Sequence, residues 1–253
     1  MIIERSMHPD WLSNAYLVAD GPGGHGVIID SGGPSDELLA KVDEHGVTIS
    51  HLLLTHHHAD HVAENHVYKE RFGAEILAHP LEAERLLDVD RTIEPGEKVL
   101  EVGGLSIGAL HTPGHTDGML NFVVNGSDVF TGDTLFKNSV GGVRAPGSTS
   151  FEDLKHSVME VLMALDPAIR LHPGHTDPTT VGDEYERNAF VRVWRGLDAE
   201  SDERCTVWEE PATLVLWGDD YDGGHKAWVR WEQSGEDDIV PGSQVVREEG
   251  EST

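Results

Sequence analysis

The sequence has a single cysteine, Cys205, among its 253 residues. One cysteine excludes a disulfide within the chain and is typical of a reducing compartment, so we expect a cytoplasmic protein. Long apolar runs are also missing, because no stretch approaches the roughly 20 residues that a membrane-spanning helix needs. The first residues lack the basic and apolar pattern of a signal peptide. These absences predict no membrane partner.

Basic residues are scarce, since 18 Lys and Arg stand against 46 Asp and Glu, for a net charge of -28. Phosphate backbones repel such a chain, which argues against nucleic-acid binding. The excess of carboxylates is typical of a solvated acidic surface or of a salt-rich habitat, and it defines no substrate. The chain also lacks a Gly-x-Ser-x-Gly motif, which argues against a serine hydrolase.

Histidine, in contrast, is abundant, with 16 residues. The motif His56-x-His58-x-Asp60-His61 places four metal-binding side chains directly after an apolar run. Imidazole nitrogens and carboxylates are the usual ligands of zinc and similar divalent metals. In an extended loop, His56 and His58 point the same way and can chelate one ion. Asp60 and His61 are neighbours, so they diverge and can reach a second ion.

Three later segments end in the same chemistry. His115 and His175 each follow Pro-Gly, where a tight turn fixes the direction of the side chain. Asp133 ends the apolar run that starts at Val129, and its two carboxylate oxygens can bridge two ions. The full set can hold two ions and leave positions for water or substrate. It consists of His56, His58, Asp60, His61, His115, Asp133 and His175.

Strand and helix patterns alternate along the first 197 residues, which we predict to be the catalytic domain. Apolar spacing and turn residues predict strands over residues 14–19, 27–29, 75–78, 99–102, 105–110, 120–124, 129–131 and 169–171. Helices are predicted from Pro34 to Gly46 and over residues 62–72, 81–87 and 185–194, with another after Ser150. This α/β order, with ligands at strand ends, predicts two sheets between layers of helices.

Residues 198–253 form a predicted C-terminal extension. After a charged linker, residues 206–208, 212–217 and 226–231 have the pattern of strands, and four of the six tryptophans lie here. The pattern is typical of a small β-meander. The tryptophans either pack on the main domain or serve in dimerisation or substrate gating. Residues 247–253 are predicted to be disordered.

The ordered motifs resemble the metallo-β-lactamase superfamily over residues 1–194, including Asp30 in Ile-Ile-Asp-Ser-Gly-Gly. The resemblance implies an αββα four-layer sandwich and two divalent metal ions, with zinc as first candidate and iron or manganese as alternatives. By the same resemblance Asp30 orients ligands from behind. The implied ligand sets are His56, His58 and His115 for the first metal and Asp60, His61 and His175 for the second, with Asp133 bridging.

Within that superfamily, Gly132-Asp-Thr-Leu-Phe136 and the segment over residues 173–182 resemble glyoxalase II-type hydrolases. The resemblance implies that a metal-bridging hydroxide cleaves a thioester while Asp60 or Asp133 relays a proton. A lactonase or esterase would use the same hydroxide. A persulfide dioxygenase would hold one iron through His56, His115 and Asp133. A non-catalytic metal-binding module is a further alternative.

The acyl substrate is less defined than the metal site. Lys137 and Arg144 are the nearest cations for an anionic small-molecule substrate. Long glyoxalase II enzymes hold glutathione with a basic helical C-terminal domain, whereas this extension is strand-like and acidic. His57 stands at the variable position of the histidine motif, so we expect its side chain to point away from the metals. A second copy of the chain is a candidate partner.

Overall fold

In the computed structural model, which describes residues 1–248 apart from the Glu97 side chain, the N-terminal part of the chain forms a six-stranded sheet. The first three strands pair antiparallel, and the later ones are added in parallel. In spatial order the strands are β1 (Ile2–Met7), β2 (Asn14–Ala19), β3 (His25–Ile29), β4 (Thr48–Leu53), β5 (Glu75–Ala78) and β6 (Arg91–Thr92). The strands predicted over residues 14–19 and 75–78 are confirmed with these bounds.

A second six-stranded sheet follows, with the spatial order β14-β13-β10-β9-β8-β7. Only β10 and β13 pair in parallel. The strands of this region are β7 (Gly96–Val102), β8 (Leu105–His111), β9 (Leu120–Val124), β10 (Asp128–Gly132), the separate hairpin β11 (Leu135–Phe136) and β12 (Ser139–Val140), then β13 (Arg170–Pro173) and β14 (Thr179–Thr180). All four strands predicted between residues 99 and 131 are confirmed, each end within three residues of the prediction.

The two sheets pack face to face through alternating side chains. In β2, Tyr16 and Val18 enter a buried cluster that also contains Phe122 and Phe130 of the second sheet. Leu17, which lies between them in the sequence, points to the opposite face and packs with the helices outside. Side chains of a strand alternate between faces, so a strand buried on both faces is apolar throughout.

Helices cover the outer faces of both sheets and complete four layers, which confirms the expected αββα arrangement. Leu38 and Tyr68 pack on the first sheet, while Phe151, Leu154 and Phe190 pack on the second. The helices are α1 (Ser35–His45), α2 (Ala59–Val62), α3 (Asn65–Phe72), α4 (Pro80–Ala83), α5 (Phe151–His156) with a π-helical continuation (Ser157–Leu162), α6 (Val181–Arg187) and α7 (Ala189–Trp194). Within residues 1–248 no helix is long and apolar enough to cross a membrane.

Three helix predictions need correction. The helix predicted over residues 62–72 is two helices, because the chain turns at Glu64, whose N–H donates to Ser31. The helix predicted over residues 185–194 breaks at Asn188, whose side chain accepts from the Phe190 N–H and caps α7. The helix predicted over residues 81–87 ends at Ala83.

The C-terminal extension is an antiparallel five-stranded sheet with the order β18-β17-β16-β15-β19. Its strands are β15 (Glu203–Val207), β16 (Glu210–Asp219), β17 (His225–Trp231), β18 (Asp237–Pro241) and β19 (Val245–Arg247). Val215, Trp228 and Ile239 join the same buried cluster as Phe151 and Phe190. The sheet therefore shares an apolar core with the catalytic part of the chain.

Two expectations for this segment change. Trp208 does not lie in a strand but in the two-residue turn between β15 and β16. Arg247 belongs to β19, so the disorder predicted from that residue onwards is wrong at its first position. Residues 249–253, which were also predicted to be disordered, lie outside the described residues.

Candidate metal centre

The fold gathers seven candidate ligands at the ends of four strands. The loop and short helix after β4 supply four of them, and segments after β8, β10 and β13 supply one each. In each of three groups the ligand atoms lie within 4.8 Å of one another. The groups are His56, His58 and His115; His56, His61 and Asp133; and Asp60, His61 and His175. The structure thus brings together all seven residues that the sequence singled out.

In two of the histidines, the outer ring nitrogen, which points away from the ligand cluster, contacts an oxygen atom. His56 Nδ1 lies 3.0 Å from Thr55 Oγ1, and His61 Nδ1 lies 3.0 Å from an Asp30 carboxylate oxygen. The inner Nε2 atoms of His56 and His61 are buried and have no hydrogen-bond partner in the described part of the chain. Buried polar atoms are normally satisfied, so these two point to a bound group. An imidazole with its outer nitrogen fixed in this way is typical of a metal ligand.

His58 and His115 show the same pattern through main-chain carbonyls. His58 Nε2 lies 2.9 Å from the Pro146 oxygen, and His115 Nδ1 lies 2.8 Å from the Gly142 oxygen. A carbonyl only accepts, so these outer nitrogens donate, and the hydrogen-bond network assigns the tautomers. The inner nitrogens are then both acceptors, yet they lie 2.9 Å apart. A cation bound by both nitrogens would remove this repulsion.

The two aspartates occupy different places in the cluster. Asp133 Oδ1 lies 3.3 Å from His61 Nε2, and its Oδ2 lies 3.3 Å from His175 Nε2 and 3.5 Å from His115 Nε2. Asp133 therefore stands between the ligand groups, as a bridging carboxylate does. Asp60 Oδ2 lies 3.6 Å from His61 Nε2 and 3.5 Å from His175 Nε2, and its side chain is 29% exposed.

Burial sets the protonation of the cluster. It lowers the pKa of His115 to about 4 and lowers the pKa values of His56 and His58 from their ordinary range. These imidazoles are neutral at pH 7, which is the form that binds metals. Burial opposes ionisation of Asp133, but the His175 and His61 imidazoles outweigh it and hold the pKa of Asp133 well below its usual range. Burial opposes protonation of His61, but Asp133 and Asp30 outweigh it and raise the pKa of His61 well above its usual range, so a cation bound there would displace a proton.

Asp30 lies outside the ligand cluster and binds the histidine segment through hydrogen bonds. One of its carboxylate oxygens accepts from the Thr55 N–H at 2.8 Å, and the other accepts from Thr55 Oγ1 at 2.8 Å. The second oxygen also contacts His61 Nδ1. Asp30 itself has a φ of 56°, an unusual backbone conformation that turns the chain at the end of β3. Asp30 thus fixes the positions of Thr55 and of the candidate ligand His61.

Glycines let the main chain approach the ligands closely. A Cβ at Gly174 would lie 2.3 Å from Asp133 Oδ1 and 2.8 Å from His61 Cε1. A Cβ at Gly114, whose φ is 142°, would lie 2.6 Å from the Cα of Leu154 in α5. The Pro-Gly-His segments therefore need glycine for space, and this space sets the positions of the histidines that follow.

Three other singled-out residues lie outside the ligand cluster. His57 points away from it, since its main-chain N–H donates to Glu82 Oε2 at 2.9 Å and its Nδ1 contacts the same oxygen. Lys137 is exposed and does not line the neighbouring cavity. Arg144 lines the cavity but is paired with Asp238.

A cavity of about 430 Å³ opens beside the ligands, and residues of the C-terminal sheet line it. Trp208, Tyr221 and Lys226 face this cavity together with His115 and Asp133. Sequence reasoning missed Tyr221 and Lys226, whereas substrate gating was one of the roles predicted for the tryptophans of this segment, Trp208 among them. The one available signal was Lys226 at the start of the strand predicted over residues 226–231, where a buried lysine is unusual.

Comparison with known proteins agrees with this geometry. The family model described as metallo-beta-lactamase superfamily matches residues 8–175. Hydroxyacylglutathione hydrolase GloC of Haemophilus influenzae is 33% identical over 183 residues, which cover 65% of this chain and 86% of that protein. The probable polyketide biosynthesis zinc-dependent hydrolase BaeB of Bacillus velezensis is 29% identical over 185 residues, covering 72% and 81%.

A solved structure of TTHA1623 in a di-iron-bound form has a TM-score of 0.62 at 32% identity, and the match covers 75% of this chain and 100% of that one. The chain belongs to the metallo-β-lactamase superfamily. It is a metal hydrolase of that superfamily with hydroxyacylglutathione hydrolases among its homologues. Its histidine and aspartate clusters are consistent with a binuclear metal centre.

Proposed function

We propose that this protein hydrolyses a thioester of a small carboxylic acid, in the manner of a glyoxalase II-like enzyme with two metal ions. The observation that carries the proposal is the position of Asp133, whose two oxygens face different histidines of the ligand groups. Similarity to a hydroxyacylglutathione hydrolase supports the thioester as substrate class. Zinc is the first candidate metal, and iron or manganese are alternatives. The named zinc-dependent and di-iron relatives support the first two.

Bound ions at this centre would lower the pKa of a bound water towards 7 and polarise the substrate carbonyl. Asp133 holds the geometry of the centre from its buried position between the histidines. Asp60 is the more exposed carboxylate, so it accepts the proton of the attacking water and passes it to the departing thiolate. The neutral His56, His58 and His115 leave the carboxylates as the ionised groups that balance the metal charge. No nucleophilic side chain takes part.

Two other reactions remain as alternatives of the same centre. A lactonase or esterase would need the same ligands and a different fit in the cavity. A persulfide dioxygenase would need one iron held by His56, His115 and Asp133. The additional presence of Asp60, His61 and His175 within one group favours two ions over one.

The remaining parts of the proposal concern the setting of the enzyme. We place it in the cytoplasm, acting on a small-molecule acyl substrate, without nucleic-acid or membrane partners. The net charge of -28 supports this by opposing contact with polyanions. A homo-oligomer formed by a second copy of the chain is part of the same proposal.

A parallel assay tests the function. Metal-reconstituted protein is incubated with a thioester, a lactone and glutathione persulfide, and metal content is measured by elemental analysis. We expect thioester cleavage to be fastest, and Asp60→Asn to lower kcat by about 100-fold, within the range for a proton-transfer group. His66→Ala, at an exposed histidine outside the cluster, is the control and should leave kcat unchanged. Oxygen uptake with persulfide and one iron per chain would contradict the proposal.

A further inference from the structure

The cavity beside the metal centre has a wall that the C-terminal sheet provides. The family model ends at residue 175, whereas Lys226 lies in a strand of the sheet that follows, and Trp208 and Tyr221 lie in turns between its strands. Phe136 and His115 complete the opposite side. The wall is therefore a feature of this chain outside the matched family region, and its chemistry can set which substrate enters.

Tyr221 connects the wall to the ligands. Its ring stacks on that of His175 with centroids 4.0 Å apart and an angle of 16°, and it meets Phe136 edge-on at 5.4 Å. The residue lies in the turn between β16 and β17, where its N–H donates to Asp220 Oδ1 at 2.8 Å. Tyr221 and Phe136 thus give the cavity an aromatic surface directly beside a candidate metal ligand.

Lys226 brings a positive charge to the cavity, but its ammonium group is already paired with protein oxygen atoms. Its ammonium donates to the Val140 oxygen at 2.7 Å and pairs with Asp220 Oδ1 at 3.0 Å. It also lies 5.1 Å from the ring centroid of Phe136 and 5.4 Å from that of Tyr221. Lys226 is only 6% exposed. Its role is therefore to hold the wall in place, and it has little capacity to bind an anion.

Arg144 is neutralised in the same way. Its Nε donates to Asp238 Oδ2 at 2.6 Å, and its guanidinium carbon lies 4.9 Å from the ring centroid of Trp208 and 5.0 Å from that of Trp231. Trp231 Nε1 donates to the same Asp238 oxygen at 3.0 Å. Both cations that line the cavity are therefore paired with carboxylates.

Trp208 occupies a turn position that does not suit tryptophan. Its φ is 48° and that of the next residue, Glu209, is 70°. Two-residue hairpin turns of this type favour Asn and Gly, because a residue with a Cβ is strained in this region of backbone conformation. The surrounding contacts must offset this strain. Such strain is frequent where a side chain serves a binding site, and here the indole faces the cavity.

We propose that Trp208 and Tyr221 make the C-terminal sheet a specificity wall. The wall selects acyl substrates that carry an uncharged, aromatic or apolar group, and it disfavours polyanionic thiol carriers such as glutathione or coenzyme A. This inference rests on the proposed thioester hydrolysis. The carboxylates of Asp220 and Asp222 line the cavity, and the two lining cations, Arg144 and Lys226, are paired with Asp238 and Asp220. An anionic carrier would therefore lose water there without gaining an ion pair, at a net cost.

Binding of two thioethers tests the inference independently of turnover, because thioethers are not hydrolysed. S-benzyl glutathione and S-benzyl N-acetylcysteamine share the aromatic group and differ in the charge of the carrier. Tryptophan fluorescence of the full-length, metal-loaded protein measures both dissociation constants. We expect the uncharged compound to bind at least tenfold more tightly. Tyr221→Ala and Trp208→Gly should each weaken that binding by about tenfold with metal content unchanged.

Releasing the paired cations should change the preference. Asp238→Asn frees Arg144, and Asp220→Asn frees Lys226, so either variant should improve binding of S-benzyl glutathione several-fold. Asp198→Asn is the matched control, since Asp198 pairs with Arg192 through two hydrogen bonds on the surface. It should leave both constants unchanged. Circular dichroism and metal content identify any variant that fails to fold. If Asp238→Asn or Asp220→Asn fails to fold, the other variant alone tests the effect of freeing a cation.

The outcomes separate this inference from the proposed function. Equal or tighter binding of the glutathione compound by the unaltered protein overturns the inference, even if thioesters are cleaved. Tight binding of the uncharged compound without cleavage of either corresponding thioester supports the wall and overturns thioester hydrolysis. Unchanged binding in both Tyr221→Ala and Trp208→Gly also overturns the inference, because the aromatic surface would then contribute nothing.

Discussion

The Tyr221 ring lies flat on the His175 ring, with centroids 4.0 Å apart and planes inclined by 16°. His175 follows β13 of the catalytic part, and Tyr221 lies in the C-terminal sheet. The contact thus joins a candidate metal ligand to a segment that lies beyond residue 175, where the family match ends. Behind it, Trp228 and Phe151 pack with ring centroids 5.0 Å apart. The C-terminal sheet is consequently linked to both the site and the core.

Removing that sheet should therefore destabilise the whole protein. A chain ending at Leu197 loses Val215, Trp228 and Ile239, each 2% exposed or less, from the cluster that also contains Phe190. The apolar surface left behind promotes association. We expect the truncated chain to aggregate or to change its mass per particle, as measured by light scattering. An equally soluble truncated chain with full activity would show that the sheet is a dispensable appendage.

The sequence predicted which residues cluster at the candidate metal centre because short motifs carry them. The histidine motif is local, and Pro-Gly before His115 and His175 fixes direction over a few residues. The cavity wall could not be predicted in the same way. Tyr221 lies 46 residues beyond His175 in the chain, and its stacking depends on how the C-terminal sheet packs against α5 and α7. Periodicity shows that a strand exists, but it does not show which surface the strand covers.

Helix ends were also predicted incorrectly, because tertiary contacts determine where these helices break. Apolar spacing over residues 62–72 and 185–194 continues across breaks that polar contacts create. At Glu64 the main chain binds Ser31, and at Asn188 the side chain both caps α7 and donates to the Ser139 oxygen. Such long-range hydrogen bonds leave no trace in hydrophobic periodicity.

The metal stoichiometry gives a second prediction. Seven candidate ligands exceed what one tetrahedral ion can use, so we expect two ions per chain by elemental analysis. His61→Ala should lower the count towards one, because it removes a ligand from two of the three groups. A count of one ion in the reconstituted protein, unchanged by His61→Ala, would contradict the two-metal centre.

Substitutions at Asp133 and at His57 give a third prediction. Asp133→Ala should reduce hydrolysis more severely than His57→Ala, because Asp133 lies between the ligand groups while His57 is bonded to Glu82. We expect the loss to exceed that of His57→Ala by about 100-fold in kcat, or about 2.7 kcal/mol. Steady-state kinetics with metal analysis measures both. Equal losses in the two variants would show that the roles assigned to Asp133 and His57 are wrong.

Asp30 gives a fourth prediction about metal affinity. Asp30→Asn keeps the shape of the side chain but weakens the contact with His61 Nδ1 and the two bonds from Thr55. Residues that support a ligand in this way typically change metal affinity by about 10–100-fold. We expect that loss for one ion of the pair, measured by competition with a chelator. Ser35→Ala, at the start of α1, is the control and should leave metal affinity unchanged.

The last prediction concerns Asp128, which ties together the two parallel strands that precede Asp133 and His175. Its carboxylate accepts two bonds of 2.7 Å from Arg170 and one of 2.8 Å from His172 Nε2. Burial opposes ionisation, but hydrogen bonds from Arg170, Ser127 and His172 hold the pKa of Asp128 below its usual range. Bonds to a charged group contribute about 2 kcal/mol, so Asp128→Asn should lower the free energy of unfolding by that amount at pH 7.

The pH dependence follows from the sign of the shift. A carboxyl whose pKa is lower in the folded than in the unfolded state stabilises the fold fully above the unfolded value, about 3.9. That stabilisation is lost as the pH falls through the folded value. The difference between the native protein and Asp128→Asn should therefore be constant near neutrality and shrink below about pH 4. Urea unfolding at several pH values, with Asp198→Asn as a surface control, measures it. A difference that grows in acid would mean that Asp128 is protonated in the folded protein.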